Sequence, residues 1–186
     1  MTSSDNAPVT RFSVAEYFET PETLSPRELD HGILREPPAP GYGHQSVVTR
    51  LGFLLYHHVR ERGLGQVCVS PVDVVLDEPA ALVVQPDIIF VGRARLSIIR
   101  ERVFGPPDLT IEILSPTTAA RDQTTKLEWY RGYGVRECWL VDKTARSIEV
   151  VVLQAPAETR ARFADDALLR SSVLPDWTIP ASAVFE

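Results

Sequence analysis

The strongest constraint on the fold is an apolar run with one carboxylate at its centre, Leu109-Thr-Ile-Glu-Ile-Leu114. Such a run is typical of a buried β-strand, in which successive side chains point to opposite faces of the sheet. Residues 109, 111 and 113 therefore share one face, and Glu112 lies on the other. Burying an unpaired carboxylate is costly. The run thus predicts that Glu112 has a cation or a proton as its partner.

The segments after this run indicate the type of sheet. Helical spacing occupies 119–133, Gly134 closes the helix, and a second apolar run follows over 137–141. A strand, a helix and a strand in close succession are typical of a crossover between parallel strands. Further strands are predicted over 29–36, 66–70, 72–76, 82–91 and 147–153. The sequence therefore predicts an α/β fold, a single domain with a mixed central β-sheet flanked by helices.

Two helices are predicted in the N-terminal half. Ser13 stands three residues before Glu16, which forms a capping box at the start of a short helix. Apolar residues at helical spacing predict a long helix over 45–62. We predict that residues 1–12 form a disordered tail and that residues 13–186 form the domain.

The composition fits one globular domain with a substantial core, since 44% of the 186 residues are hydrophobic. The formal net charge of -6 argues against a broadly basic nucleic-acid surface, although local patches can still bind phosphate. Cys68 and Cys138 lie in apolar runs, and we interpret them as small core residues in a reducing compartment. No signal-peptide pattern and no membrane-spanning stretch is found in the sequence, so we expect a cytoplasmic protein without a membrane partner.

A second carboxylate, Asp87, opens the apolar run Ile88-Ile-Phe-Val91. Asp87 and Glu112 can converge only if their strands are neighbours in the sheet. Mg²⁺ is commonly held by one or two carboxylates together with water and phosphate oxygens. The pair therefore indicates a metal-dependent hydrolase. The alternative is structural: Asp87 caps a turn after Pro86, and Glu112 pairs with an arginine.

The predicted helix after Glu112 carries polar residues at a spacing of four, Asp122, Lys126 and Tyr130. This spacing places them on one face of the helix. On a solvated helix, Asp122 and Lys126 would form an ordinary surface ion pair. Because the helix directly follows the Glu112 strand, its lysine can instead lie at the end of that strand. There it would orient or deprotonate a water and offset charge on a phosphate.

Six segments carry a family resemblance, in this order: Arg27-Glu-Leu-Asp-His-Gly-Ile33, Gly43-His-Gln45, Val84-Gln-Pro-Asp-Ile-Ile-Phe-Val91, Pro107-Asp-Leu-Thr-Ile-Glu-Ile-Leu-Ser-Pro116, Arg121-Asp-Gln-Thr-Thr-Lys126 and Tyr133-Gly-Val-Arg-Glu-Cys-Trp-Leu-Val-Asp142. Their order and spacing resemble the Uma-two family of the PD-(D/E)XK restriction-endonuclease-like superfamily. The resemblance implies a restriction-endonuclease-like domain and an endonuclease that hydrolyses phosphodiester bonds in DNA. It further implies Mg²⁺ as the cofactor, with Mn²⁺ as an alternative, and a homodimer.

The resemblance also assigns catalytic residues. The acidic pair of the superfamily falls on Asp87 and Glu112, with the carbonyl of Ile113 as a further metal ligand. The lysine expected two residues after the second acid is replaced by Leu114. Lys126 on the following helix takes its role.

Four more residues complete the predicted site. Glu28 matches the acid that the superfamily supplies from its first core helix or the adjoining strand, and we assign it as catalytic. His44, Asp122 and Tyr130 are assigned as accessory residues. His44 stands at the start of the long helix, where a histidine either caps and packs or reaches toward the site.

Two other functions stay open. The acidic net charge favours a non-catalytic binding or scaffold protein that keeps the nuclease fold, and a hydrolase for a smaller substrate, such as a nucleotide, is the third interpretation. Substrate contacts are expected from the loop 37–43 and from 93–106, which carries the densest basic stretch of the chain. The alternative for 93–106 is a solvated helix with ion pairs.

Overall fold

The computed structural model describes residues 10–21, 25–116, 119–154 and 157–186. Its helices are α1 (Val14–Glu19), α2 (Tyr42–Arg62), α3 (Ala119–Arg121) and α4 (Leu127–Tyr133). A π-helical segment, Asp122–Lys126, joins α3 to α4, and 3-10 helices form at Arg93–Ile98 and Ala181–Val184. The strands are β1 (Glu28–Asp30), β2 (Ile33–Arg35), β3 (Gly65–Val69), β4 (Val74–Asp77), β5 (Leu82–Val84), β6 (Ile88–Gly92), β7 (Val103–Phe104), β8 (Leu109–Ile113), β9 (Glu137–Asp142), β10 (Ser147–Val152), β11 (Thr159–Ala164), β12 (Leu168–Arg170) and β13 (Thr178–Pro180).

The largest sheet has six strands in the order β11-β10-β9-β8-β6-β3. β8 and β9 are parallel, and the other neighbours in this sheet are antiparallel. The predicted crossover is confirmed, because the helical segment 119–133 connects these two parallel strands. A five-stranded sheet in the order β2-β1-β5-β4-β7 and the pair β12-β13 complete a single α/β domain.

The six-stranded sheet has a hydrophobic core on each face. The residues of β8 at 109, 111 and 113 pack with α2 on one face. On the other face, Tyr130 of α4 packs with Cys138 and Leu140 of β9. Full burial of an aliphatic side chain of this size contributes about 1.5–3 kcal/mol. The alternation predicted for β8 is confirmed, and Glu112 is directed toward the face that α4 covers.

Two predicted strands are each divided in the structure. The predicted strand 82–91 becomes β5 and β6, which belong to different sheets, because Pro86 has no N–H to donate to a ladder. The predicted strand 29–36 is the hairpin of β1 and β2. It turns at His31 and Gly32, whose φ angles are 49° and 85°, a region that glycine adopts without steric penalty. The first division places Asp87 at the junction between the two sheets.

The interpretation of both cysteines as core residues is wrong for Cys68. Cys138 of β9 is buried, whereas Cys68 is exposed on β3. Among the described residues, β3 is the edge strand of the six-stranded sheet and has a neighbouring strand on one side only. An apolar run alone does not distinguish an edge strand from a central one.

Part of the predicted N-terminal tail belongs to the described chain. Residues 1–9 lie outside the described residues, but the N–H of Phe12 donates a hydrogen bond to the carbonyl of Gly32 at 2.8 Å. The capping box predicted at Ser13 and Glu16 is present at the start of α1. Within the described ranges, no helix is long and apolar enough to cross a membrane.

Candidate active site

A cavity of about 340 Å³ opens where β8 and β9 end and β6 begins. Ile88 of β6 pairs with Ile111 of β8 in antiparallel register, which places Asp87 beside Glu112. The strands that carry Asp87 and Glu112 are therefore neighbours, which is the condition stated above for the two carboxylates to converge. Among the described residues, four carboxylates and three lysine or arginine side chains line the cavity: Glu28, Asp87, Glu112, Asp122, Arg121, Lys126 and Lys143.

Asp87 is held by a backbone amide and by a histidine. Its Oδ2 accepts a hydrogen bond from the Ile113 N–H at 2.7 Å and lies 3.2 Å from Nε2 of His44. Burial opposes a charge on His44, but the Asp87 carboxylate outweighs it and raises the pKa of the imidazole above its usual value. The first turn of α2 thus brings His44, a predicted accessory residue, into contact with Asp87.

Lys126 joins three carboxylates. Its Nζ lies 3.1 and 3.2 Å from the two carboxylate oxygens of Glu112 and 2.8 Å from Oε1 of Glu28. A third acid, Asp122, lies 3.5 Å from the same nitrogen. The fully buried Tyr130 hydroxyl donates a hydrogen bond to Oε1 of Glu112. The partner expected for the buried Glu112 is therefore a lysine, and the alternative pairing with an arginine is not seen among the described residues.

Glu28 reaches this network from β1 of the second sheet. Its Oε1 accepts a hydrogen bond from the Gln85 N–H at 3.1 Å, and its Oε2 accepts one from Arg121 at 2.7 Å. The guanidinium of Arg121 lies 5.2 Å from the ring centre of Trp129. Sequence reasoning missed Arg121 as a site residue. Its only signal was that it begins one of the six motif segments.

Burial and mutual charge set the pKa values of the network. Burial raises the pKa of Glu112 well above its usual value, and Lys126 opposes this increase. The nearby carboxylates Asp122, Asp87 and Glu28 add to it. Burial also acts against the Lys126 ammonium, but its three carboxylate partners raise its pKa well above the usual value. A further cation beside Glu112 would therefore favour its ionised form.

The helix that carries Lys126 is irregular at the site. The segment 119–133 is helical as predicted, but Asp122–Lys126 forms π-helical rather than α-helical turns. Such turns are frequent at functional sites. The face predicted to be shared by Asp122, Lys126 and Tyr130 is confirmed. The surface ion pair is wrong, because Asp122 and Lys126 are only 3% and 6% exposed.

Of the two segments expected to contact substrate, the loop lies at the cavity, and the first part of 93–106 lies beyond the far end of β6. Residues 37–41 of the proline-rich loop line the cavity. The 3-10 helix Arg93–Ile98 follows β6, whereas Asp87 precedes it, so the strand separates them by roughly 17 Å. Arg95 instead pairs with Asp108 at 3.2 Å. Arg93–Ile98 therefore lies outside the cavity, because the direction of β6 carries it away from Asp87, and its contact with substrate stays a prediction.

The donor set fits a small, hard cation. Asp87, Glu112 and Ile113 line one wall of the cavity and offer carboxylate and carbonyl oxygens. Within the described residues, no three His, Cys, Asp or Glu side chains converge as a complete metal site. Mg²⁺ does not need such a set, because one or two carboxylates with water and phosphate oxygens suffice.

A comparison of the whole chain decides the family. Residues 14–182 match the model of the Uma2 family, which is described as "Putative restriction endonuclease". The chain belongs to the Uma2 family. The resemblance to this family, drawn from the six motif segments, is thereby confirmed. The description of the Uma2 family supports a nuclease-like hydrolase that acts on a nucleic-acid substrate.

The fold of this Uma2 chain is similar to a solved structure from Anabaena variabilis ATCC 29413, described as "a putative nuclease belonging to DUF820". The TM-score is 0.78 at 20% sequence identity, and the match covers 94% of this chain and 97% of that chain. At this identity the likeness shows the fold, and the predicted α/β class is confirmed. No curated protein matches the chain.

Proposed function

We propose that this Uma2 protein is a metal-dependent endonuclease that hydrolyses phosphodiester bonds in DNA. One observation carries the proposal: Asp87 and Glu112 meet at one cavity wall, and Lys126 lies against Glu112. This combination offers oxygen ligands for a metal and a fixed positive charge for a phosphate. Phosphodiester hydrolysis needs both, because negative charge grows on the phosphate as the water attacks.

Asp87, Glu112 and the carbonyl of Ile113 would hold Mg²⁺, or Mn²⁺ as an alternative. When bound, the metal supplies Lewis acidity to the phosphate and lowers the pKa of a water. Oδ2 of Asp87 is engaged by the Ile113 N–H, and its Oδ1 accepts no hydrogen bond from the described residues. Asp87 thus offers one oxygen to a metal while the other fixes the side chain.

The surrounding residues prepare the site before substrate arrives. Lys126 is kept protonated by its carboxylate partners, so it acts as a hydrogen-bond donor and positive charge rather than as a base. Tyr130 fixes the carboxylate of Glu112, and Glu28 fixes the ammonium of Lys126. His44 positions Asp87. Preorganisation of this kind lowers the barrier because little rearrangement is needed during reaction.

Cleavage of DNA by the purified protein tests the proposal. We expect the parent to cut DNA with Mg²⁺ or Mn²⁺ and to stop when the metal is chelated. Asp87→Asn and Glu112→Gln should each lower the rate by about 10²-fold or more. Glu149→Gln is the matched control, because it removes a strand carboxylate from β10 outside the cavity. Parent-like cleavage by Glu112→Gln contradicts the proposal.

A non-catalytic binding or scaffold protein is the second candidate. It is favoured by one observation: Lys126 and Tyr130 already satisfy Glu112 without a metal. This function predicts that none of the proteins cleaves DNA with any divalent cation. Salt dependence then separates a DNA partner from a small one, because affinity for DNA falls steeply between about 50 and 200 mM salt. A nucleotide would show a shallow dependence.

We also propose the homodimer that the family resemblance implies. α2 exposes Phe53 and Tyr56, at 63% and 49%, and it packs against the edge strand β3, whose Val69 is also exposed. Two copies of β3 can pair antiparallel about a two-fold axis and cover these side chains. Sedimentation velocity should therefore show a dimer for the parent and a monomer for Phe53→Glu. A monomeric parent contradicts this arrangement.

A further inference from the structure

The two lysines of the chain lie in the same cavity. Of its 19 lysines and arginines, only Lys126 and Lys143 are lysines. Both line the cavity of the acidic pair. Lysine presents a compact point charge with three rotatable donors, whereas arginine presents a planar fork. Their shared location indicates that the cavity uses ammonium groups in a chain that otherwise relies on arginine.

Lys143 reaches the cavity from the end of β9. Val141 of β9 pairs with Ile113 of β8 in parallel register, so Lys143 comes just beyond the sheet, level with Ser115. Lys143 and Ser115 both line the cavity, and the lysine is half-buried there. His44 and Asp87 line the same cavity. Lys143 therefore shares this cavity with the His44–Asp87 pair.

The other two cations of the cavity already form ion pairs with carboxylates of the protein. Lys126 contacts three of them, and Arg121 pairs with Glu28 at 2.7 Å. The side chain of Lys143, in contrast, makes no ion pair or hydrogen bond with the part of the chain that the structure describes. A phosphate entering the cavity would meet four carboxylates, which repel it. Lys143 is the cavity cation whose charge is available to offset that repulsion.

We propose that Lys143 binds a phosphate of the nucleic-acid substrate beside the acidic pair. This inference rests on the proposed function and names the residue through which the cavity tolerates an anionic substrate. A hydrogen bond between an ammonium and a phosphate oxygen is charge-assisted, and it is stronger in a partly desolvated cavity than on an open surface. Lys143 is a substrate-binding residue in this account, whereas Lys126 keeps its proposed role beside Glu112.

Chemical modification tests the contact directly, because the chain has only two lysines. Reductive methylation followed by peptide mass spectrometry reports each of them separately. The Lys126 side chain is 7% exposed and serves as an internal buried control. With Ca²⁺ in place of Mg²⁺, a saturating short DNA duplex should slow the methylation of Lys143 several-fold. Unchanged reactivity of Lys143 at saturating DNA overturns the inference.

Charge-matched variants test the energetic role. Lys143→Gln should weaken DNA binding about tenfold, raise KM more than it lowers kcat, and reduce the slope of log Kd against log salt by about one. Lys143→Arg keeps the charge and should restore most of that slope. Arg170→Gln is the control, since Arg170 is exposed on β12 and its neighbour Ser171 contacts Glu137 at the opposite end of β9. Equal losses in Lys143→Gln and Arg170→Gln overturn the inference, because they would reflect net charge alone.

The outcomes separate this inference from the proposed endonuclease activity. Protection of Lys143 in a protein that fails to cleave DNA with any divalent metal supports the phosphate site and contradicts the nuclease. Metal-dependent cleavage with an unprotected Lys143 and a parent-like Lys143→Gln overturns the phosphate site and leaves the nuclease standing. A parent that neither binds nor cleaves DNA overturns both.

Discussion

Replacing Lys126 with methionine tests how the buried network is held together. The variant keeps an apolar stem of similar length and removes the ammonium that contacts Glu28, Glu112 and Asp122. The side chain is 7% exposed, so these carboxylates lose their cation where water cannot replace it. Removing one partner from a buried ion pair typically costs about 3–5 kcal/mol of unfolding free energy. Tm should fall by roughly 6–20 °C, because one kcal/mol corresponds to about 2–4 °C in a protein of this size.

A double variant shows whether the loss comes from stranded carboxylates. Adding Glu112→Gln to Lys126→Met removes one stranded charge and leaves Tyr130 with a neutral acceptor. The double variant should therefore be more stable than the sum of the two single changes predicts, with a coupling energy above about 1 kcal/mol. Urea unfolding of the parent and the three variants at neutral pH measures this cycle. A loss below about 1 kcal/mol in Lys126→Met, with no coupling, refutes the reasoning.

Three further perturbations address other contacts. Tyr130→Phe removes the hydroxyl that donates to Glu112 and should lower the unfolding free energy by about 1.5–3 kcal/mol in urea; an unchanged value contradicts the contact. Burial lowers the pKa of His58, whose Nε2 lies 2.9 Å from the Pro175 carbonyl oxygen, so the folded state favours the neutral ring. The stabilisation that His58 contributes is present above its pKa in the unfolded state, about 6.5, and is lost as the pH falls through its lowered pKa in the folded state. The stability advantage of the parent over His58→Gln should therefore shrink between about pH 7.5 and about pH 5.5, and a constant advantage contradicts this. Ser13→Ala removes the cap of α1 and should cost about 1 kcal/mol in thermal unfolding, whereas Ser13→Asp should keep the cap.

The residues that were predictable lie on regular elements. The period of two along β8 separates Glu112 from its apolar neighbours, and the spacing of four places Lys126 and Tyr130 on one helical face. A strand followed directly by a helix brings these two faces together, because a crossover helix packs on the sheet it connects. The antiparallel pairing of β6 with β8 places Asp87 beside Glu112 at the same site.

The residues that were missed are placed by tertiary structure. Lys143 lies in the connection after β9, and its proposed role depends on the parallel register that sets it level with Ser115. Arg121 gains its role from Glu28, which belongs to another sheet. The basic segment Arg93–Ile98 looked suited to a polyanion, but strand direction carries it to the far end of β6. Local patterns determine which side chains share a face and not which end of a sheet they reach.

Calorimetric titration with Mn²⁺ in the presence of a phosphorothioate DNA duplex tests the central claim, the metal site at Asp87 and Glu112, most directly. A slowly cleaved duplex supplies the phosphate oxygens that complete the coordination of such an ion. We predict that the parent and Glu149→Gln bind the metal at one shared affinity and that Asp87→Asn and Glu112→Gln lose this binding while remaining folded. Undiminished binding in both site variants would contradict the account.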